Sequence, residues 1–286
     1  MQNKNVLETI SENMAHCSKG QKKIGEYLLN NYAVAANMTA ARMSETVGVS
    51  ESTIVRYATE LGFDGYPELQ SALKYAARRK LTSVQRIELL KERFDGDMLT
   101  RSFNSDIESI KKTLSMTDSK SFDGFVSALM NANRIYIVGA RSAASLAMFM
   151  NFYLSILFDN VQIVHTVIGS EAYDQMFRVK SGDVVLGISF PRYSKLTVDV
   201  LEFSKRAGAT VLGLTDSVRS PIAKSSDITL YADNISDTFV DSLTAPLALI
   251  NALIVEIGRR DPERALSRFG VLERIWEEND VYDDDV

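Results

Sequence analysis

Two short stretches carry the hydroxyl and guanidinium groups from which proteins build anion sites. They read Gly139-Ala140-Arg141-Ser142 and Ser189-Phe190-Pro191-Arg192-Tyr193-Ser194. Each follows an apolar run and precedes a segment with helical spacing, so serine hydroxyls and helix N-terminal amides would meet at one anion. The predicted contacts are Gly139, Arg141, Ser142, Ser189, Arg192, Tyr193 and Ser194. The alternative is that these serines only cap helices.

A second set of polar side chains opens the predicted helix 51–60. Short hydroxyl residues crowd its start, where an ordinary surface helix more often shows Glu and Lys. Such a helix contacts base edges with its N-terminal residues, while hydroxyls and arginine hold phosphates. The predicted DNA contacts are Ser50, Glu51, Ser52, Thr53, Arg56, Tyr57 and Lys22. Lys22 belongs to an earlier helix, begun by a Ser-x-x-Gln capping box at Ser18, and its alternative role is a solvated face.

A helix, a tight turn and a second helix would position this set. Thr39 caps a helix through Val47, and Gly48 supplies the positive φ of a sharp turn. Ser50 then caps the second helix, which Gly62 stops. The buried face of the second helix is predicted at Ile54, Val55, Ala58 and Leu61. This is the helix-turn-helix pattern, although an αα-hairpin in any helical domain has the same spacing.

Apolar runs that alternate with helical segments would position the first set. The runs are 135–138, 161–164, 184–189, 211–215 and 228–231. Helical segments at 143–157, 171–179 and 195–207 and a short turn near Pro221 separate them. The pattern predicts a doubly wound five-stranded parallel α/β domain after an all-helical N-terminal domain. Ligands of such folds bind at the carboxyl ends of the strands, where both anion stretches lie.

The helical pattern resembles the N-terminal domain of the RpiR family of bacterial transcription regulators. The matching residues are Ala41, Val47, Gly48, Val49, Ser50, Ser52, Thr53, Val55, Arg56, Asp64, Gly65 and Tyr66. The loop 138–142 resembles the first loop of the SIS (sugar isomerase) domain, the usual C-terminal partner in this family. The loop 189–194 stands where the S-x-S-G-x-T phosphate loop of that domain would be. The resemblance implies a helix-turn-helix domain followed by a domain that binds a phosphorylated sugar.

The two loops depart from the SIS pattern at three positions. Pro191 replaces the middle serine and removes both a hydroxyl and a backbone N–H. Arg192 replaces the loop glycine, and Arg141 replaces a glycine that is common in the first loop. Two arginines at one pocket would give a phosphate bidentate contacts. The alternative is that they fill the pocket and close it.

The sequence offers little for catalysis or for a cofactor. Sugar-phosphate isomerisation requires a positioned base, and the histidines are His16 and His165. His165, near the edge of the predicted pocket, is interpreted as a ligand contact or a structural group. The chain has no G-x-G-x-x-G and no P-loop sequence, so we expect no nucleotide cofactor. The single cysteine, Cys17, excludes an internal disulfide and a cysteine-built metal cluster.

Length and charge suggest two domains with different tasks. The predicted parts are a helix-turn-helix domain 1–77, a partly helical linker 78–103, a sugar-phosphate-binding domain 104–260, and a C-terminal helix and acidic tail 261–286. Residues 1–80 carry ten Lys and Arg against eight Asp and Glu, a net charge of +2. Because the net charge of the whole chain is −5, the remaining residues carry a net charge of −7. A weakly basic domain on an acidic body favours specific DNA binding through a small face.

These features predict a transcription regulator, not an enzyme, that senses a phosphorylated sugar and binds a double-stranded DNA operator. Regulators of this type bind two half-sites of an operator as symmetric dimers, so we expect a homodimer or homotetramer. The predicted apolar helix 239–257 would either pack on its own sheet or join subunits. The sequence shows no membrane span and no signal peptide, so we expect a cytoplasmic protein. The alternatives are a sugar-phosphate isomerase whose N-terminal domain only assists assembly, and a regulator with a closed pocket.

Overall fold

The chain divides into two compact units, Met1–Asp95 and Gly96–Val286. The computed structural model describes residues 6–80, 82–93, 97–165, 171–234 and 238–282. The described part of the first unit is helical, and the second unit contains a five-stranded parallel sheet covered by helices. The predicted fold class is therefore confirmed. Among the described residues, no helix is long and apolar enough to cross a membrane.

The first unit is built from short helices around a core of aliphatic side chains. Its described helices are α1 Val6–Asn13, α2 Lys19–Ala35, α3 Ala40–Val47, α4 Glu51–Glu60, α5 Gly65–Lys80 and α6 Ser83–Arg93. The capping box at Ser18 forms as predicted, with the Gln21 side chain accepting from the Ser18 backbone N–H. Ile24, Met43 and Ile54 are fully buried between α2, α3 and α4.

A shared hydrogen-bond acceptor fixes the turn that leads into α3. The backbone carbonyl of Met38 accepts from the Tyr66 hydroxyl at 2.8 Å and from Gln70 Nε2 at 2.7 Å. Both donors lie on α5, and burial raises the pKa of Tyr66 to about 12. The start of α3 is therefore tied to α5, which holds the pair α3 and α4 in place.

The second unit alternates strands and helices after two leading helices. In chain order the elements are α7 Met98–Met116, α8 Ser119–Met130, β1 Ile135–Gly139, α9 Ala143–Leu157, β2 Val161–Val164, α10 Glu171–Met176, β3 Val184–Ile188, α11 Lys195–Arg206, β4 Thr210–Thr215, α12 Pro221–Ser225, β5 Ile228–Tyr231, α13 Thr244–Arg260 and α14 Pro262–Glu278. The described part of the predicted linker 78–103 is therefore largely helical.

The strand order β2-β1-β3-β4-β5 creates a switch point between β1 and β3. All neighbours are parallel, and Gly139 at the end of β1 lies opposite Ile188 at the end of β3. Helix α9 packs on one face of the sheet through Leu146 and Met150, while α11 packs on the other through Val200. The loops after β1 and β3 thus leave in opposite directions and open a crevice between them.

The predicted helix 239–257 begins later than the pattern suggested. The observed α13 runs from Thr244 to Arg260, and Phe239 is exposed outside it. A proline is tolerated in the first turn of a helix but not in its interior, so Pro246 requires a start close to Thr244. The apolar face of α13, including Leu249 and Leu253, is buried in the core of its own unit and is not available to join subunits. The end of the predicted acidic tail, 283–286, lies outside the described residues.

Candidate nucleic-acid face and candidate anion site

The turn between α3 and α4 depends on one glycine and one serine. Gly48 ends α3 with φ +71°, a conformation that costs other residues free energy. Ser50 caps α4, since its hydroxyl accepts from the Thr53 backbone N–H at 3.3 Å. The same hydroxyl lies 2.9 Å from the Ser52 hydroxyl and 2.7 Å from that of Thr53. The predicted helix-turn-helix geometry is therefore present, with its hydroxyls linked at the start of α4.

Helix α4 presents a polar face to solvent. Its exposed residues are Glu51, Ser52, Val55, Arg56, Thr59 and Glu60. Thr53 is half-buried, and a Cβ placed on Gly20 would lie 3.8 Å from its Cγ2, so the first turn of α2 packs on the first turn of α4. Lys22 is exposed on α2, and its contact with DNA stays a prediction. Among the described residues, no carboxylate pairs with Arg56, which leaves its guanidinium available to a phosphate or a base.

The prediction that Tyr57 contacts DNA is wrong. Tyr57 is 1% exposed and belongs to the core of the first unit, whereas Val55, predicted to be buried, is 41% exposed. The residues Ile54, Tyr57, Ala58 and Leu61 follow the i, i+3, i+4, i+7 template, which Val55 does not. Burial raises the pKa of the Tyr57 phenol above its ordinary value. That template was the sequence signal that could have assigned both residues correctly.

The loop after β1 is held against α9 by close packing. A Cβ on Gly139 would lie 2.7 Å from the carbonyl oxygen of Ala143, so a side chain there would collide with the first turn of α9. Arg141 adopts φ 58°, a left-handed conformation that favours glycine and costs other residues about 1–2 kcal/mol. Ser142 precedes α9 but makes no side-chain cap hydrogen bond. Arg141 and Ser142 are both exposed, so their polar groups face solvent.

The loop after β3 is organised by its own serines. Ser189 is buried, and its hydroxyl accepts from the Ser194 backbone N–H at 3.0 Å. Ser194 caps α11, since its hydroxyl accepts from the Thr197 backbone N–H at 3.3 Å. Each hydroxyl keeps its own proton to donate. The serines are therefore caps or loop ties, as the alternative interpretation of the sequence expected, and they remain able to donate to an anion.

A carboxylate at the end of β4 fastens the same loop. The Tyr193 hydroxyl donates to Asp216 Oδ1 at 2.7 Å, and the Thr215 hydroxyl lies 3.3 Å from that oxygen. Asp216 is 5% exposed. The sequence predicted a strand over 211–215 but assigned neither Thr215 nor Asp216 to the site, because the contact with Tyr193 joins loops far apart in the chain. Tyr193 was predicted as a ligand contact, and its hydroxyl is used in this hydrogen bond to Asp216.

The strand ends thus combine exposed positive charge with hydroxyl and amide donors. Arg141 and Arg192 are exposed, and neither pairs with a carboxylate in the part of the chain that the structure describes. They leave adjacent strands, since Gly139 lies opposite Ile188. His165 follows β2, the edge strand next to β1, and is exposed. No group of three or more His, Cys, Asp or Glu among the described residues could hold a metal ion.

Two family models match this chain and agree with the two units. Residues 4–80 match the helix-turn-helix domain of the rpiR family, and residues 128–256 match the SIS domain. The chain is thus a helix-turn-helix protein with a SIS domain. It belongs to the RpiR family of transcription regulators.

Curated relatives that align with this chain over most of their length are also named as helix-turn-helix transcriptional regulators. The HTH-type transcriptional regulator HexR of Pseudomonas aeruginosa is 28% identical over 233 residues, which cover 79% of this chain and 78% of that protein. An uncharacterized HTH-type transcriptional regulator of Haemophilus influenzae is 27% identical over 234 residues, 80% of each chain.

Solved structures support both the family and the fold. The sugar isomerase domain of an RpiR transcription factor from Sphaerobacter thermophilus matches with a TM-score of 0.60 and 29% identity, covering 63% of this chain and 99% of that chain. The NanR protein of Vibrio vulnificus, complexed with ManNAc-6P, matches with a TM-score of 0.59 and 20% identity, covering 95% and 98%. At that identity the second likeness shows the fold alone.

The burial of Tyr57 predicts a stability effect rather than a binding effect. Tyr57→Ala should lower the free energy of unfolding of the first unit by about 3–5 kcal/mol, because it leaves a cavity between α2 and α4. Arg56→Ala is the matched control on the exposed face and should change that free energy by less than about 0.5 kcal/mol. Urea unfolding followed by circular dichroism measures both. Equal stability of the two variants would contradict the burial of Tyr57.

Proposed function

We propose that this protein is a transcription regulator whose SIS domain binds a phosphorylated sugar and whose helix-turn-helix domain binds an operator in double-stranded DNA. The observation that carries the proposal is the pair of exposed arginines, Arg141 and Arg192, at the ends of adjacent strands β1 and β3, where neither pairs with a carboxylate among the described residues. Ligand binding must favour either the DNA-competent or the incompetent assembly, since a ligand with equal affinity for both would shift nothing. The ligand would change operator occupancy in this way.

The chemistry of the strand ends suits a phosphate group. A phosphate monoester carries close to two negative charges at neutral pH, and arginine binds it with paired N–H donors. Ser142 has a hydroxyl that no helix cap uses, and Ser189 and Ser194 each retain a proton to donate. NanR of Vibrio vulnificus, with the same fold, was solved with ManNAc-6P. A sugar with a phosphate is therefore the ligand class that we propose.

Catalysis is not part of the proposal. A general base must reach the substrate, and His165 follows the edge strand β2, with its backbone N–H donating to Gln175 Oε1 at 2.8 Å. The attached helix-turn-helix domain and the regulator names of the relatives favour sensing over isomerisation. A protein with this task works in the cytoplasm, where its operator lies.

We also propose a homodimer or homotetramer, with α7 as the pairing surface in place of the buried face of α13. The exposed apolar residues of α7 include Phe103, Ile107, Ile110 and Leu114, which follow the 4-3-4 spacing of a helix-pairing seam. The other side of α7 is fastened to its own unit, where Ser109 donates to Asp233 at 2.9 Å. The seam is therefore held in one orientation.

Removal of Arg56 should weaken operator binding. We expect Arg56→Ala to cost about 1–3 kcal/mol of operator affinity if the guanidinium contacts a base, with a smaller loss on random DNA. If it holds only phosphate, both affinities should weaken alike. Titrations of fluorescent duplexes at fixed salt measure these affinities, and Arg206→Ala, an exposed arginine at the end of α11, is the charge-matched control. Unchanged affinity for both duplexes would remove α4 from the interface.

Removal of one anion contact should abolish the response to ligand and leave DNA binding intact. We expect Arg192→Ala and Ser142→Ala to bind the operator like the wild type but to ignore the phosphorylated sugar that shifts the wild type. The residues lie in the second unit, outside the helix-turn-helix domain. Operator titrations with and without the ligand measure this, with Arg206→Ala as the control.

The ligand itself can be found by a thermal-shift screen of phosphorylated sugars, since a bound ligand raises the melting temperature. If wild type and both variants then respond identically, the phosphate site lies elsewhere. If no phosphorylated sugar stabilises the wild type, the sensing proposal is wrong and the pocket is closed.

The assembly proposal predicts a mass above that of one 31.8 kDa chain. Sedimentation at micromolar concentration should give two or four times that mass. Charges in the seam should lower it, so the double variant Ile107→Glu and Leu114→Glu should sediment more slowly than the wild type. Val34→Glu, at an exposed valine of α2, is the control and should not. A monomeric wild type would contradict the proposal.

A further inference from the structure

We infer that Val55 determines sequence specificity by contacting the 5-methyl group of a thymine in the major groove. The inference rests on the proposed DNA binding of α4 and names one base that this helix selects. Val55 is 41% exposed in the middle of the polar face of α4. Ser52 lies about one turn before it, and Thr59 about one turn after it.

Val55 is not needed to form the core of the first unit. The core contacts of α4 are already supplied by Ile54, Tyr57 and Ala58, which are at most 1% exposed. A β-branched residue on an exposed helix surface is a weaker helix former than Ala, Lys or Glu. The valine therefore contributes little to the free unit, and an apolar partner that arrives with DNA would account for its place.

The polar groups next to Val55 are engaged in hydrogen bonds, so Val55 is the apolar group of this face that can contact a methyl group. The hydroxyls of Ser50, Ser52 and Thr53 are linked to one another, and the Thr59 hydroxyl donates to the Val55 backbone carbonyl at 3.2 Å. Arg56 is the adjacent cation. In the major groove, thymine alone among the bases presents a methyl group, and apolar side chains recognise it. Because the central side chain of this face, Val55, is apolar, the thymine methyl group suits it better than the polar edge of any base.

The position within α4 also fits this role. Recognition helices enter the major groove with their N-terminal half. Val55 is the fifth residue of a helix that starts at Glu51, and Arg56 follows it directly. If Arg56 contacts a guanine or a phosphate, Val55 reaches a neighbouring base pair on the same wall of the groove. The selected thymine should therefore lie next to the position that Arg56 contacts.

The test removes single methyl groups from DNA. The full-length protein first enriches binding duplexes from a random-sequence library, and each thymine of an enriched duplex is then replaced by deoxyuridine, one at a time. For one thymine in each half-site, we expect replacement by deoxyuridine to lower the affinity of the wild type for the duplex about fourfold. This is the effect of removing one methyl group from a buried contact. Val55→Ala, whose shorter side chain reaches less far into the groove, should reduce the difference between thymine and deoxyuridine at that position. Val34→Ala, at an exposed valine of α2, should keep the wild-type difference.

The outcomes separate this inference from the function on which it rests. A failure to enrich any duplex overturns the proposed DNA binding together with the inference. Enrichment with a flat deoxyuridine profile overturns the inference alone. A methyl effect that persists unchanged in Val55→Ala also overturns it, because another residue then makes the contact. Circular dichroism of Val55→Ala checks that the variant is folded, which the exposure of the side chain predicts.

Discussion

The contact between Gly139 and the first turn of α9 is the constraint on which the second unit depends. The end of β1 lies so close to the Ala143 carbonyl that a side chain at Gly139 has no room. This contact fixes the direction in which α9 leaves the sheet, and thus the course of the three residues between Gly139 and Ala143. Arg141 then takes a left-handed conformation, and its side chain faces solvent at the switch point between β1 and β3. Backbone packing, rather than polar attraction, sets the place of this positive charge.

The second loop of the crevice is stabilised by a different principle. Ser189 and Ser194 fasten the loop to itself, and Asp216 fastens it to the end of β4 through Tyr193. The buried carboxylate of Asp216 accepts from two hydroxyl groups, as buried polar groups generally require hydrogen-bond partners.

The sequence predicted the strands well because each is a short apolar run that contains β-branched residues, and the central strands β1, β3 and β4 are buried on both faces. It predicted α3, the turn and α4 because Thr39, Gly48 and Ser50 carry cap and turn signals at fixed offsets. It failed where the helical template was not followed at every position, as for Val55 and Tyr57, and where a proline set the start of a helix, as at Pro246. It could not predict the tie between Tyr193 and Asp216, since such a contact depends on strand register and not on nearby residues.

The charge distribution of the α4 face has a consequence for how this protein finds DNA. The exposed face of α4 carries one cation, Arg56, beside Glu51 and Glu60, and the chain beyond residue 80 has a net charge of −7. Counterion release from DNA grows with the number of phosphates that a protein neutralises. Few neutralised phosphates mean weak attachment to random DNA and a mild dependence on ionic strength. If α4 supplies most of the phosphate contacts, such a regulator would stay free in solution rather than spread along the chromosome. A small ligand could then change operator occupancy without competing against a large reserve of protein bound to random DNA.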